Sequence, residues 1–526
     1  MASVNGSLPS CPYGSRCYRQ NPQHFKEFSH PADHQKHTSE ADTPNHSSES
    51  VAGSSGDTAE PARKRMRPAS PVPQIQNPSA SSPQTTGCPL GIFLTTTRGL
   101  ENEFNDLSWC RSMKHILAPD MGDLQASIQF NYMFDIPWIV DQYPPEFRDR
   151  PMMIVHGDST TSSSGQLLRQ DASQFPHITL AMARLPMAYG THHTKMMILF
   201  YVEGVRVVVH TSNLISGDWN NKTQGMWISP VFPKSSDAKD SSTNFRRDLL
   251  EYLRSYGIPK LNEVADRLMH HDMSSANVFI VSSVPGRHEG EKKSSFGHLK
   301  LRSLLKKHCF SIPSSWPVIG QFSSIGSLGP AADKWLTGEF LDSLGSSVAL
   351  SGKAPLKLVF PSVDNVRLSS EGWKGGGSLP YSQVTADKQR YLDKFLHVWK
   401  SDAKGRSHSM PHIKTYTRTS PELKEAAWLC ITSANLSKAA WGALEKEGSQ
   451  LMIRSYELGV VFIPHASDPA SSRFKIVADF TSHCDNGLAV FLPYDLPLVK
   501  YSDRDRPWTW DAPQTGLLDR FGKPRK

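Results

Sequence analysis

The chain has 526 residues, too many for one small core, and 38% of them are hydrophobic, which is low for a chain that folds throughout. A formal net charge of +8 favours anionic partners such as nucleic acid or an acidic membrane surface. Seven cysteines in a chain this long make no disulfide framework, no apolar run is long enough to span a bilayer, and Met1 opens no secretory leader, so a soluble intracellular protein is expected.

Three zones follow in chain order. Residues 1–31 hold a compact cluster of Cys11, Cys17, His24 and His30, two thiolates and two imidazoles that make a full tetrahedral zinc set. A unit this short needs the metal to fold. Residues 32–87 are rich in Ser, Pro, Thr, Asp and His with hardly any large apolar residue, and read as a disordered linker. Within it Arg63-Lys-Arg-Met-Arg67 reads as a nuclear localisation signal, and Ser70-Pro71 as a phosphorylation switch. Apolar runs return at Cys88 and persist to Trp510.

In that third zone, 196–201 and 205–210 read as adjacent strands around a Val202-Glu203-Gly204 turn. Phe245, Leu249, Tyr252, Leu253 and Tyr256 share one helical face, and Gly257 with Pro259 stops that helix. The spacing of Tyr391, Leu392, Phe395, Leu396 and Trp399 predicts a second helix, and 428–432 and 458–463 read as buried strands. Strands interleaved with helices argue an α/β fold with a mixed or parallel sheet.

The same zone repeats itself weakly. His193-Thr-Lys195 is followed by Thr-Ser-Asn213-Leu, and His412-Ile-Lys414 by Ser-Ala-Asn435-Leu, each His-x-Lys opening a strand and each Asn following the next strand. Side chains two apart on a strand share a face, so each pair points one way. Two such strands meeting across a two-fold axis would set two imidazoles on opposite sides of one phosphorus, with ammonium and amide groups around its oxygens. Phosphodiester cleavage needs that set: a nucleophile, a proton for the departing oxygen, and positive charge on the non-bridging oxygens. The lysines stand where many nucleases use a metal, so no catalytic cofactor is expected. One His-x-Lys is a chance occurrence in a chain with 21 histidines; two with the same sequel are specific.

Here the chain resembles the tyrosyl-DNA phosphodiesterases, a branch of the phospholipase D superfamily, from about Cys88 to Trp510. The carrying segments are Tyr189-Gly-Thr-His-His193-Thr-Lys195, His210-Thr-Ser-Asn213, Lys222-Thr-Gln224-Gly, Met410-Pro-His412-Ile-Lys414, Thr432-Ser-Ala-Asn435-Leu-Ser-Lys-Ala-Ala-Trp-Gly442, Arg454-Ser-Tyr-Glu457-Leu-Gly459 and Arg506-Pro-Trp508-Thr-Trp510. The resemblance implies two phospholipase-D-like halves, 88–282 and 283–526, each a mixed sheet flanked by helices and related by a pseudo-two-fold axis. It implies His193 as nucleophile, His412 as general acid and then base, and Lys195, Lys414, Asn213 and Asn435 as phosphate holders. Gln224 and Glu457 would orient the two imidazoles; a carboxylate on the far ring nitrogen fixes the tautomer. Lipid-cleaving members carry an Asp after the Lys, a region where Phe200 and Thr419 stand here.

The hydroxyl- and glycine-rich loop 321–329 suits sequence-independent phosphate binding. The resemblance places Ser324, Ser327, Trp335 and Ser378 along the DNA strand; Tyr189 reads as a base-stacking platform with core packing as its rival, and Trp508 as a wall on the peptide side. The N-terminal cluster resembles the poly(ADP-ribose)-binding zinc finger, which implies that Tyr13, Tyr18 and Arg19 hold the polymer's adenine and phosphates. The reading is a monomeric nuclear phosphodiesterase that resolves 3′-phosphotyrosyl remnants of topoisomerase I on single-stranded or nicked DNA, leaves a 3′ phosphate, and binds no membrane. A polymer-binding scaffold with a dead core and a lipid phosphodiesterase are the alternatives. The intact His and Lys residues oppose the first, and the missing Asp, the nuclear signal and the finger oppose the second.

Overall fold

Branched and aromatic residues fill 196–201 and 204–210 without polar alternation, and every position in both segments is buried. A strand with both faces covered reads this way, so the hairpin they form lies at the heart of a layered domain. The computed structural model describes Ser29 and residues 90–348, 354–468, 470–478 and 488–525. All but Ser29 belong to one unit, Thr86–Lys526. Cys11, Cys17, His24, His30, Tyr13, Tyr18, Arg19, the Arg63 cluster and Ser70 lie outside the described residues.

Two nine-stranded sheets follow one plan. The first contains β1 (Ile92–Thr95), β2 (Cys110–Arg111), β3 (Leu124–Phe130), β4 (Met152–His156), β5 (Ile178–Met182), β6 (Met196–Tyr201), β7 (Gly204–His210), β8 (Gly225–Ile228) and β9 (Phe232–Pro233). The second contains β10 (Phe279–Ser283), β12 (Val318–Gln321), β13 (Leu356–Val359), β14 (Leu396–His397), β15 (Thr415–Thr419), β16 (Glu425–Thr432), β19 (Glu457–Phe462), β20 (Phe474–Val477) and β21 (Ala489–Phe491). β11 (Gly286–Glu289), β17 (Ala443–Glu445) and β18 (Gln450–Ile453) form a small sheet, and β22 (Gln514–Leu518) with β23 (Pro524–Arg525) a C-terminal hairpin.

The order β1-β8-β7-β6-β3-β4-β5 in the first sheet is matched strand for strand by β10-β19-β16-β15-β12-β13-β14 in the second. Polarity matches at every step as well: four antiparallel contacts and then two parallel ones. The fold is thus the expected α/β pair of similar halves, each a mixed sheet flanked by helices.

Helix α1 (Ser216–Asn221) follows β7, and α2 (Phe245–Ser255) and α3 (Pro259–Leu268) lead towards the second sheet. α2 buries Phe245, Leu249, Tyr252 and Leu253, with Tyr256 just beyond, and each such side chain contributes roughly 1.5–3 kcal/mol on leaving water. Gly257 ends the run at φ +63°, a conformation only glycine adopts without strain. Tyr256 stacks on Tyr456 at 4.3 Å, so α2 is seated against the second half. Cys110, Cys309 and Cys430 are buried free thiols. Among the described residues no helix is long and apolar enough to cross a membrane.

Two expectations are corrected. Tyr391–Trp399 is not a helix: a 3₁₀ segment, Arg390–Phe395, runs into β14. Leu396 pairs in parallel with Leu358, and Val398 N donates to Val499 O, so sheet partners claim the backbone and override the helical spacing. The boundary expected at 282/283 cuts through β10, whose pairing with β19 assigns the whole strand to the second sheet.

Candidate active site

The structural repeat decides where the polar side chains meet. His193-Thr-Lys195 runs extended into β6, and His412-Ile-Lys414 runs into β15, the equivalent strand of the other sheet. Asn213 and Asn435 lie just past β7 and β16. Two short parallel bridges join the halves, His192 with Tyr456 and Thr223 with Pro411. In each, the residue before the catalytic-type histidine pairs with the residue before Glu457 or Gln224. His193 N donates to Tyr456 O at 3.0 Å, and His412 N donates to Thr223 O at 2.9 Å. Gly225 permits this closeness, because a Cβ there would meet Ile413 Cδ1 at 2.3 Å.

The consequence is that each histidine is held by the other half. His193 Nδ1 lies 2.9 Å from Glu457 Oε2, and Ser433 Oγ also donates to that oxygen. His412 Nδ1 faces the Gln224 amide, 3.0 Å from Nε2 and 3.2 Å from Oε1. Two bonds settle how that amide is turned. Thr211 Oγ1 donates to Oε1 at 2.8 Å, and Nε2 donates to Asp218 O at 3.3 Å. The NH₂ therefore points to His412. No hydrogen bond among the described residues engages Nε2 of either ring. Lys195 Nζ donates to His193 O at 3.1 Å, and Lys414 Nζ makes the equivalent bond to His412 O. Asn435 Oδ1 accepts from Ser323 N at 3.1 Å, which leaves its NH₂ for a ligand.

Burial dominates the electrostatics. It lowers the basicity of His193, against the pull of Glu457, and lowers His412 further with help from Lys414 and Lys195. Lys195 is brought down to about 8 by burial, with Glu457 and Asp218 opposing. Lys414 is pushed well below an ordinary lysine by burial and by Lys195. Burial works to raise Glu457, but the His193 charge and its bonds to His193 and Ser433 outweigh it and hold the carboxyl below its usual range. Two crowded, desolvated ammonium groups suit the centre to an anionic ligand.

Around this centre the expected residues divide. Tyr189 is 93% exposed at φ +59°, so the core reading fails and the ring is presented to solvent four positions ahead of His193. Loop 323–328 is tied to the Asn435 segment, Gly326 N donating to Leu436 O, with Ser324 half-buried and bonded to Pro380 O and Ser327 exposed. Ser378, half-buried, ends a glycine-rich turn whose Gly375 O accepts from Lys222. Trp335 and Trp508 are corrections: both indoles are 0% exposed. Trp335 stacks on Phe340 and donates to Gly442 O, while Trp508 donates to Gly376 O beneath Arg525, so neither offers a surface to DNA or peptide.

Sequence reading missed three residues. Tyr132, 44% exposed, has its ring 5.6 Å from the His193 ring and 5.9 Å from Lys195 Nζ. Lys222 is buried, ion-paired with Glu371 across the halves. Asp218, buried in α1, lies 3.4 Å from His412 Nδ1. Tyr132 carries no local signal, Lys222 lies in the Lys222-Thr-Gln224-Gly segment that carries the resemblance but has no role assigned there, and Asp218 stands one residue before Trp219 in a stretch alignable with Asn435–Trp441.

The tyrosyl-DNA phosphodiesterase family model matches residues 91–502, which spans both sheets and every polar residue of the centre. The chain belongs to this family. A second model, the PBZ domain, matches residues 8–33 and takes in the Cys/His cluster. Tyrosyl-DNA phosphodiesterase 1 of Drosophila melanogaster is 34% identical over 593 residues, covering 96% of this chain and 99% of that protein. The Arabidopsis thaliana protein of the same name is 38% identical over 450 residues, 76% of this chain and 71% of that one. The solved yeast tyrosyl-DNA phosphodiesterase superposes with a TM-score of 0.62 at 21% identity, covering 80% of this chain and all of that one, and shares the fold.

Proposed function

We propose that this family member hydrolyses 3′-phosphotyrosyl links on DNA in two steps at the His193/His412 centre, leaving a 3′ phosphate. The observation that carries the reading is the crossed pairing, which gives the two histidines opposite proton patterns. A carboxylate can only accept, so Glu457 holds a proton on Nδ1 of His193 and leaves Nε2 with a free lone pair for phosphorus. The NH₂ of Gln224 can only donate, so Nδ1 of His412 is the bare atom and Nε2 carries the proton. One ring is therefore set as nucleophile and the other as acid.

His193 Nε2 attacks, His412 Nε2–H protonates the departing tyrosine oxygen, and a phosphohistidine forms. Water then attacks with His412 as base, and the 3′ phosphate leaves. Lys195, Lys414, Asn213 and Asn435 stabilise charge on the non-bridging oxygens; the low dielectric around them strengthens each contact. Tyr189, Ser324, Ser327 and Ser378 line the DNA approach, and no step is routed through a metal.

The PBZ segment brings the enzyme to breaks marked with poly(ADP-ribose). Cys11, Cys17, His24 and His30 would hold Zn²⁺, a donor set that suits tetrahedral coordination; the ion would close the fold of the short segment. Tyr13, Tyr18 and Arg19 would take the polymer, and Arg63–Arg67 with its neighbours would direct the protein to the nucleus.

The test is cleavage of a single-stranded oligonucleotide bearing a 3′-phosphotyrosine, with EDTA present, by wild type and His193→Ala. Conversion to a 3′ phosphate by wild type, absent in a folded mutant that still binds DNA, is the expected result. No cleavage by folded wild type would overturn the reading in favour of a polymer-binding scaffold.

A further inference from the structure

A neutral imidazole that donates its Nε2 proton must gain one at Nδ1, since otherwise it would leave as an imidazolate. The ring of His412 meets this requirement in surroundings that oppose it: burial first, then Lys414, Lys195, His193 and Lys222, all disfavour a second proton on it. Gln224, bonded to Nδ1, has no proton to give up. Among the described residues, one other group reaches Nδ1. Asp218 Oδ2 lies 3.4 Å away and is fixed by Asn213 N, which donates to it at 2.8 Å.

We propose, resting on the two-step reading above, that Asp218 is the proton store behind His412, and so a positioning residue rather than one that touches substrate. In the first step the His193 Nε2–P bond forms and the P–O(tyrosine) bond breaks, its electron pair going to the phenolic oxygen. That oxygen takes the Nε2 proton of His412, and the Asp218 carboxylic acid passes its proton to Nδ1. In the second step the water oxygen bonds to phosphorus and the N–P pair returns to His193. Nε2 of His412 then takes the water proton, and Nδ1 returns its own to Asp218. Every proton is back where it began.

Two further observations support this. Burial raises the Asp218 carboxyl above the usual carboxylate range, despite the bond from Asn213 N and the charges of Lys222, Lys414 and Lys195 facing it, which is the direction a proton store needs. The repeat supplies the second. Asn213-Leu-Ile-Ser-Gly-Asp218-Trp219 aligns with Asn435-Leu-Ser-Lys-Ala-Ala440-Trp441, so Ala440 occupies the equivalent position in the other half. His193, which gains its carboxylate directly from Glu457, faces no second one from that helix.

The test compares burst-phase leaving-group release from two oligonucleotides, one ending in 3′-phosphotyrosine and one in 3′-(4-nitrophenyl phosphate), whose leaving group needs no proton. Asp218→Asn keeps an acceptor for Asn213 N but cannot relay a proton. Tyrosine release should slow about 10- to 100-fold while nitrophenol release is unchanged, which also shows that the variant is folded. The wild-type tyrosine burst should fall as pH rises through the titration of Asp218, and the variant should lose that limb. Equal losses on both substrates would reveal a merely structural residue, and no loss on the tyrosyl substrate would remove the relay; either overturns the proposal. Wild type inert on both substrates would instead overturn the phosphodiesterase reading on which it rests.

Discussion

The two halves carry the same His, Lys and Asn on the same strands of the same sheet order, yet they differ where the histidines are held. β19 begins with Glu457, while the residue before β8, its counterpart, is Gln224. The helix after β7 carries Asp218 where the equivalent helix after β16 carries Ala440. The scaffold supplies symmetry, and two side chains break it. A carboxylate and an amide of nearly equal size differ in which side of a hydrogen bond they can take, and in the proposed mechanism that choice sorts the nucleophile from the acid.

Making the halves alike should therefore disable the centre, and most severely at the nucleophile. Glu457→Gln removes the acceptor that holds Nδ1–H on His193, and covalent-step rates should drop by about 10³- to 10⁴-fold, the scale seen when a catalytic histidine loses its orienting carboxylate. Rapid-quench measurement of tyrosine release checks this; a loss of only about 10- to 100-fold would break the proposed division of roles.

His412→Asn attacks the other half. Water loses its base, so hydrolysis of the intermediate should slow about 10²- to 10⁴-fold and covalent enzyme–DNA should accumulate on denaturing gels. Free multiple turnover without that species would reassign His412. Gln224→Glu copies the first half onto the second and favours the wrong tautomer at His412; tyrosine release should fall about 10- to 100-fold.

The pH dependence sharpens the comparison of the two lysines. Only protonated Lys195 helps to hold the phosphate, and in the free enzyme it loses its proton as pH rises through about 8, so KM should climb on that alkaline side. Lys195→Arg, permanently charged, should abolish the rise if Lys195 is its source. The smallest effect belongs to the finger. Cys11→Ala should abolish zinc and poly(ADP-ribose) binding by gel shift with no change in turnover on naked DNA; a parallel fall in turnover would tie the finger to the catalytic unit.

The centre was legible because its residues sit at strand ends, where the two-residue period and the short spacing from His to Asn survive in sequence. β6, β7, β16 and β19 were visible as apolar runs for the same reason. Asp218 escaped notice because one acidic residue in a short helix has no meaning until the halves are superposed. Trp335 and Trp508 differ from expectation because an indole near a recognisable motif reads equally as core or platform, and only burial separates the two. The 391–399 segment shows sheet pairing overriding a helical pattern that Leu392, Leu396 and Trp399 satisfy by coincidence.

The crossed pairing bears on how such a chain can diversify. An assembly of two identical copies must make every substitution twice, so a Glu in one orienting position would oblige a Glu in the other, and both histidines would become nucleophiles. Tying the copies into one polypeptide lifts that constraint. Each half becomes free to mutate against the other, and because each histidine answers to a residue of the opposite half, neither can drift alone.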